Sequence, residues 1–166
     1  MPASEELFDV VDDNDCVVRV LPRSEVHRKK LRHRAVHIFL FRSDGRMLIH
    51  LRTAHKEEFP SVWTSSASGH VSSGEDYSTS ASRELYEELG IHTDLQRFAK
   101  FAACSDTSNE FTELFVGTSD AEITFDPLEI STVRWLTPIE IEAEIHNQPD
   151  RFSPAFRLLF SNFRQT

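Results

Sequence analysis

Glu84, Glu87 and Glu88 fall within the stretch SRELYEELG (Ser82–Gly90), with Arg83 among them. Carboxylates three and four residues apart on a helix are neighbours, and each like-charged pair costs about 0.2–0.5 kcal/mol. Leu85 centres an apolar stripe that includes Ala81 and Leu89. At about 100° per residue, Glu88 lies about 60° from Leu85, Glu84 about 100° and Glu87 about 160°, all on one side. One arginine cannot neutralise three acids, and Glu88 borders the face that must be buried. A run of this kind is ordinarily a solvated acidic face. The chemical alternative is a hard divalent cation, which prefers carboxylate oxygens and converts their repulsion into shared coordination.

The elements that would hold these acids are readable from the flanks. Tyr77 to Leu89 has helical periodicity, Asp76 suits the N-cap and Gly90 the C-terminal cap. Gly69 and Gly74 bracket the loop entering that helix, where backbone can approach a ligand closely. The whole stretch, GHVSSGEDYSTSASRELYEELGI from Gly69 to Ile91, resembles the signature of the Nudix hydrolase family. Every constrained position is met, by Gly69, Glu75, Arg83, Glu84, Leu85, Glu87, Glu88, Gly90 and Ile91. So long a constrained pattern is far more specific than a short glycine motif.

The resemblance implies a Nudix fold of α+β class over residues 1–166, a mixed sheet sandwiched between helices, with the box at 69–91. It implies a hydrolase that cleaves the phosphoanhydride bond of a nucleoside-diphosphate derivative or another organic diphosphate. Mg2+ or Mn2+ would be held by Glu84, Glu87, Glu88 and the Gly69 carbonyl, polarising phosphoryl oxygens and activating a water. Glu75, Arg83, Gly69 and Gly90 would organise the loop and helix. The general base would be a box glutamate or a carboxylate on another loop, with Glu110 a candidate. Arg52 and His70 are candidate substrate contacts.

Outside the box, LRHRAVHIFLF, FPSVWTSSASGH and NEFTELF look like the branch that contains isopentenyl-diphosphate isomerases. Those enzymes are expected to carry a cysteine just before the glycine of GH, where this chain has Ser68. A hydroxyl is far less acidic than a thiol and replaces it poorly in proton transfer. Their histidine-rich metal site maps onto His27, His33, His70 and Glu110, with Ser108 where a second acid is expected. His27 and His33 also read as solvated residues of a basic segment, and Glu110 as a strand-edge charge. Two rival functions follow, an isopentenyl-diphosphate isomerase and a non-catalytic diphosphate-binding regulatory module.

The remaining sequence bounds the answer. The 166 residues carry a net charge of −9, which disfavours a general nucleic-acid binder. Cys16 and Cys104 offer neither a disulfide framework nor a zinc pattern, and no apolar run is long enough to span a membrane. The expected setting is cytoplasmic, with a small-molecule diphosphate as partner; homodimers are common among similar proteins. RSEVHRKKLRHR gathers Arg23, Arg28, Lys29, Lys30, Arg32 and Arg34, readable as a phosphate-attracting rim or as a solvated helix and turn. Ala35 to Phe41 and Met47 to Leu51 read as a hairpin around Asp44–Gly45. Two further strand pairs, a strand at STVRWL, and helices at RSEVHRKK, PIEIEAEIH and SPAFRLLFSNF complete the expected elements. Trp63 is expected to pack under the box or line the pocket, and packing fits its aromatic bulk better.

Overall fold

The computed structural model describes residues 4–166. It begins with an antiparallel hairpin of β1 (Leu7–Val11) and β2 (Val17–Pro22), followed by the short helix α1 (Arg23–Arg28). The hairpin turn is set by Asp12, whose Oδ1 accepts from the backbone N–H groups of Asn14 and Cys16 at 2.9 Å.

The main sheet contains β3 (His33–Phe41), β4 (Met47–Arg52), β5 (Trp63–Thr64), β6 (Ala67–His70), β7 (Gln96–Phe101), β8 (Glu110–Thr118) and β9 (Ile130–Leu136). Its central order is β5-β4-β3-β8-β7, with β6 beside β3 and β9 beside β4. β3 and β8 run parallel, from His33↔Glu110 to Phe41↔Thr118, whereas the other pairs are antiparallel. This is a mixed sheet, as expected.

The expected β3–β4 hairpin is present only at its tip. The one registered pair is Phe41↔Met47, and the strands then diverge. The segment after Trp63 fills the fork, with β5 pairing β4 and β6 pairing β3 from Ala35↔His70 to Ile38↔Ala67. Ser66 staples the fork: its hydroxyl donates to the Leu48 carbonyl at 2.6 Å and accepts from the Leu40 N–H at 2.8 Å. Buried backbone groups that a straight ladder would have paired are thereby satisfied by a side chain. Local periodicity carries no sign of this divergence, nor of the long-range parallel pairing of β3 with β8.

Strand alternation sends β3 side chains to two cores. Val36, Ile38 and Leu40 pack with Leu48 against Ala81, Leu85 and Leu89 of α2 (Tyr77–Leu89). On the other face, Phe39 packs with Met47, Ile49 and Leu114 against Phe156, Leu159 and Phe160 of α4 (Pro154–Gln165). Fully burying each such side chain contributes about 1.5–3 kcal/mol, which is what fixes both helices to the sheet. Trp63 is 5% exposed and packs in this second core, on the opposite face from the box helix. α3 (Pro138–Asn147) begins with a capping box between Thr137 and Glu140. Among the described residues, no helix is long and apolar enough to cross a membrane.

Much of the basic segment is consumed in ion pairs away from the cleft described below. Arg32 pairs with Asp13, Lys29 with Glu25, and Arg34 with Asp15 of the first hairpin's turn. Arg23 is the member of that segment's charge cluster that borders the cleft described below.

Candidate active site

Asp76 caps α2 by accepting from the Thr79 N–H at 2.7 Å, and Gly90 ends the helix in the left-handed conformation, φ 68°. A Cβ on Gly90 would come within 2.6 Å of the Thr124 hydroxyl, so close approach as well as φ selects glycine there. The helix lays its box side chains over β6. Arg83 forks onto Glu75, with Nε to Oε1 at 2.9 Å and a terminal nitrogen to Oε2 at 3.0 Å. The same guanidinium donates to the His70 carbonyl at 3.1 Å, to Glu84 at 2.9 Å and to Glu87 at 3.2 Å. Glu75 also accepts from the Ser80 hydroxyl and the Ser72 N–H, so the entry loop and first helical turns form one network.

Glu84 and Glu88 point inward and Glu87 outward. Burial pushes the Glu84 carboxyl up to about 7, against the opposing pull of Arg83. Glu88 is pushed well above the ordinary carboxylate range, by burial first and then by the charge of Glu84. Its Oε2 is buried with no hydrogen-bond partner among the described residues and lies 3.8 Å from His50 Nδ1, whose hydrogen bond goes instead to the Ser66 carbonyl at 3.0 Å. A buried acid pair with an orphaned oxygen is costly, and a cation relieves it. The box residues therefore fit a divalent ion on their own geometry.

A second constellation lies on the same sheet. His27 of α1, His33 of β3, His70 of β6 and Glu110 of β8 each bring one donor atom to within 4.8 Å of the others. The register explains the convergence, because His33 is opposite Glu110 and Ala35 is opposite His70. Phe8 of β1 backs the group, with its ring centroid 4.9 Å from His70 and 5.5 Å from His33. His33 Nδ1 is 2.8 Å from the Leu31 carbonyl, which can only accept, so Nδ1 carries a proton and Nε2 is the atom turned to Glu110, free to take a proton or a metal ion. Among the described residues, the Nε2 atoms of His27 and His33 are buried without a hydrogen bond. His33 Nε2 is 3.2 Å from Glu110 Oε1, within ion-pair reach but off hydrogen-bond alignment, while His70 Nε2 is 2.9 Å from the same oxygen.

Burial, reinforced by the charges of His70 and His33, pulls His27 down to about 4. Burial opposes ionisation of Glu110, but His33 and His70 outweigh it and hold the carboxyl far below its usual range. Three imidazoles and one carboxylate form a donor set suited to a divalent transition metal. The sequence expectation of solvated His27 and His33 is corrected here: His33 is 3% exposed and His27 half-buried. Glu110 lies at the start of β8 between two histidines, not on a free strand edge.

A cleft of about 700 Å³ joins the two groups. Glu84, Glu87 and Glu88 line one part, His27, His70 and Glu110 another, and Ser68 and Gly69 lie on its wall. Arg52 enters from the end of β4. Its Nε and one terminal nitrogen donate to the Glu58 and Phe59 carbonyls at 2.9–3.2 Å, so it fastens the loop after β4 while bordering the cleft. Lys56 of that loop pairs with Glu129, tying it to the segment before β9. His37 also lines the cleft; in the sequence it is only one residue of an apolar strand.

Residues 31–156 match the family model described as NUDIX domain. A Nocardia farcinica protein named isopentenyl-diphosphate Delta-isomerase is 32% identical over 154 residues, covering 88% of this chain and 87% of its own. A Deinococcus radiodurans protein named Nudix hydrolase is 34% identical over 145 residues, covering 86% and 85%. A crystal structure from Deinococcus radiodurans superposes with a TM-score of 0.76 at 32% identity, over 86% of this chain and 90% of that one. The chain belongs to the NUDIX family, and within it resembles both the isopentenyl-diphosphate isomerases and the hydrolases. It is an enzyme of the class that acts on diphosphate and related anhydride bonds.

Proposed function

We propose that this protein is a divalent-metal-dependent hydrolase of the phosphoanhydride bond in an organic or nucleoside diphosphate. The observation that carries the reading is the largely buried pair Glu84 and Glu88, with the Glu88 oxygen unpartnered among the described residues, facing the cleft beside Gly69. Glu84, Glu87, Glu88 and the Gly69 carbonyl would hold Mg2+ or Mn2+. Such an ion, when bound, supplies Lewis-acid polarisation of phosphoryl oxygens and makes water acidic enough to attack near neutral pH.

The chain's own residues then have distinct tasks. Arg83 and Glu75 hold the entry loop against the helix, so the carboxylates keep one arrangement. Arg52, together with Arg23, presents positive charge to the diphosphate. Water oxygen bonds to phosphorus, the anhydride P–O bond breaks, and the departing phosphate takes that bond's electron pair. The water's proton passes to a box glutamate. Glu110 suits the base role less well than sequence alone implied, because its two histidine partners stabilise the carboxylate and weaken its hold on a proton. It serves better with His27, His33 and His70 as a ligand of a second cation.

The isomerase reading draws on that same cluster and on the isomerase-named relatives. Against it stands Ser68, which offers a hydroxyl where acid–base chemistry on an unactivated alkene calls for a far more acidic group. A panel of diphosphates assayed with Mg2+ or Mn2+ separates the readings. Phosphate or nucleotide release from at least one substrate is expected, with Glu87→Gln and Glu88→Gln each lowering the rate by roughly two orders of magnitude or more. Isomerisation of isopentenyl diphosphate without any hydrolysis would replace this proposal with the isomerase, and tight binding with neither reaction would replace it with the regulatory module.

A further inference from the structure

His37 lines the cleft, and neither the box nor the histidine cluster gives it a task. Alternation along β3 places His33, Ala35, His37 and Phe39 on one face, so His37 lies between the His33 cluster and the Phe39 core. In the β3–β6 ladder it stands directly opposite Ser68. Its Nδ1 is 2.6 Å from the Ser65 hydroxyl, and Ser65 is itself fully buried. The ring is thus fixed by one nitrogen. Nε2 makes no hydrogen bond among the described residues, although the side chain borders the cleft.

The surroundings are hydroxyl-rich. Thr64, beside Ser65 in sequence, shares a 3.0 Å hydrogen bond with Ser153 at the start of α4, and both line the cleft with Ser68. Burial drives His37 down to about 4, so the ring presents a neutral imidazole near neutral pH. Ser65 can donate to Nδ1 or accept from it, and in either tautomer Nε2 keeps one hydrogen-bonding capacity. A hydrocarbon chain packed over this wall would bury that nitrogen without a partner. A hydroxylated or heteroaromatic group would satisfy it. Sites built around a buried polar group reject analogues that cannot pair with it far more strongly than apolar pockets reject an extra hydroxyl.

We infer that His37 is a specificity-determining residue, which hydrogen-bonds the moiety joined to the diphosphate and selects a polar moiety such as a nucleoside over a hydrocarbon one. The inference rests on the cleft being the diphosphate site proposed above. It assigns the wall formed by His37, Thr64, Ser68 and Ser153 to the non-phosphate part of the substrate.

Calorimetric titration with Mg2+ present tests it on hydrolysis-resistant ligands: α,β-methylene ADP, α,β-methylene UDP, isopentenyl methylenediphosphonate, and methylenediphosphonate as the diphosphate-only reference. Wild-type protein is expected to bind at least one nucleotide analogue more tightly than the reference and than the isopentenyl analogue. His37→Leu should weaken that nucleotide about tenfold or more, leave the reference within about twofold, and tighten the isopentenyl analogue. His37→Gln, which restores a hydrogen-bonding group, should recover most of the loss. Equal weakening of every ligand by His37→Leu marks a purely structural role and overturns the inference. So does no change, a wild-type preference for the isopentenyl analogue, or failure to bind any of the four. Absence of hydrolysis alongside His37-dependent nucleotide binding would instead sink the hydrolase reading and leave this one standing.

Discussion

The carboxyl of Glu84 rests against the α-carbon of Gly69: a Cβ on Gly69 would sit 2.1 Å from Glu84 Cδ and 2.3 Å from its Oε1. No side chain fits between β6 and the helix at that point, and the acid is held against the strand backbone. Gly69→Ala should therefore push Glu84 aside without touching the core. We expect kcat/KM to fall roughly a hundredfold, since displacement of about 1 Å can cost that much. Far-UV circular dichroism should be unchanged; unaltered turnover would show that Glu84's placement does not matter.

Among the described residues, Arg83 is the one cation reaching Glu75, Glu84, Glu87 and the His70 carbonyl together. Lysine keeps the charge but loses the planar fork. Arg83→Lys should loosen the loop–helix junction, lowering Tm by a few degrees, about 1 kcal/mol for a chain of this size, and weakening Mn2+ binding at the box about tenfold. A variant with wild-type metal affinity would show that the fork is dispensable.

If the box and the histidine cluster each take a cation, two inequivalent metals should bind per chain. Elemental analysis after equilibration with Mn2+ is expected to give two, and His33→Gln should reduce this to one while sparing the box. A wild-type stoichiometry of one, unchanged by His33→Gln, would remove the cluster as a metal site.

The raised acids make metal-free stability depend on pH with a definite sign. Glu84 titrates near 7 in the fold against 4.5 when free, so between these values the folded state binds more protons than the unfolded chain. Its ionisation thus penalises folding fully above about pH 7 and not at all below about 4.5, by about 3 kcal/mol at full effect. His50 acts oppositely: burial holds it near 4 against 6.5, and stability is lost as pH falls through that window. Comparing wild type with Glu84→Gln cancels the histidine contributions. In urea without divalent metal, the variant should be the more stable at pH 7.5, with the gap closing as the pH approaches 4.5. A gap that widens on acidification would contradict the assignment. Excess Mg2+ at pH 7.5 should stabilise wild type more than the variant.

What sequence could reveal followed from local rules. The box acids, the Asp76 and Gly90 caps and the boundaries Tyr77–Leu89 were legible because spacing, capping and periodicity act within a few residues. The strands β3 and β4 and the helices α3 and α4 were legible for the same reason. The histidine cluster was legible only through a family resemblance, since His27, His33, His70 and Glu110 meet through α1, the parallel β3–β8 pair and β6. His37 left no signal at all: an isolated imidazole in an apolar strand becomes notable only once Ser65 and the cleft stand beside it. The basic segment misled in the other direction, because the acids that engage Arg32 and Arg34 lie in the distant β1–β2 turn.

The early parting of β3 from β4 bears on the order in which the chain acquires its structure. Neighbours in sequence that pair along their whole length can zip from a turn, whereas these strands share the single registered pair Phe41↔Met47. β3 must recruit β6 and the far-off β8, and β4 must recruit β9, before either is a sheet strand on both edges. Loop closure on that scale is slow, because chain entropy is lost before the distant contacts repay it. The cleft lies where those late arrivals meet. Half-folded chains would therefore already possess the α2 helix but neither the histidine cluster nor the wall around His37, and a divalent ion taken up by that cluster should act only on the closing stage of refolding.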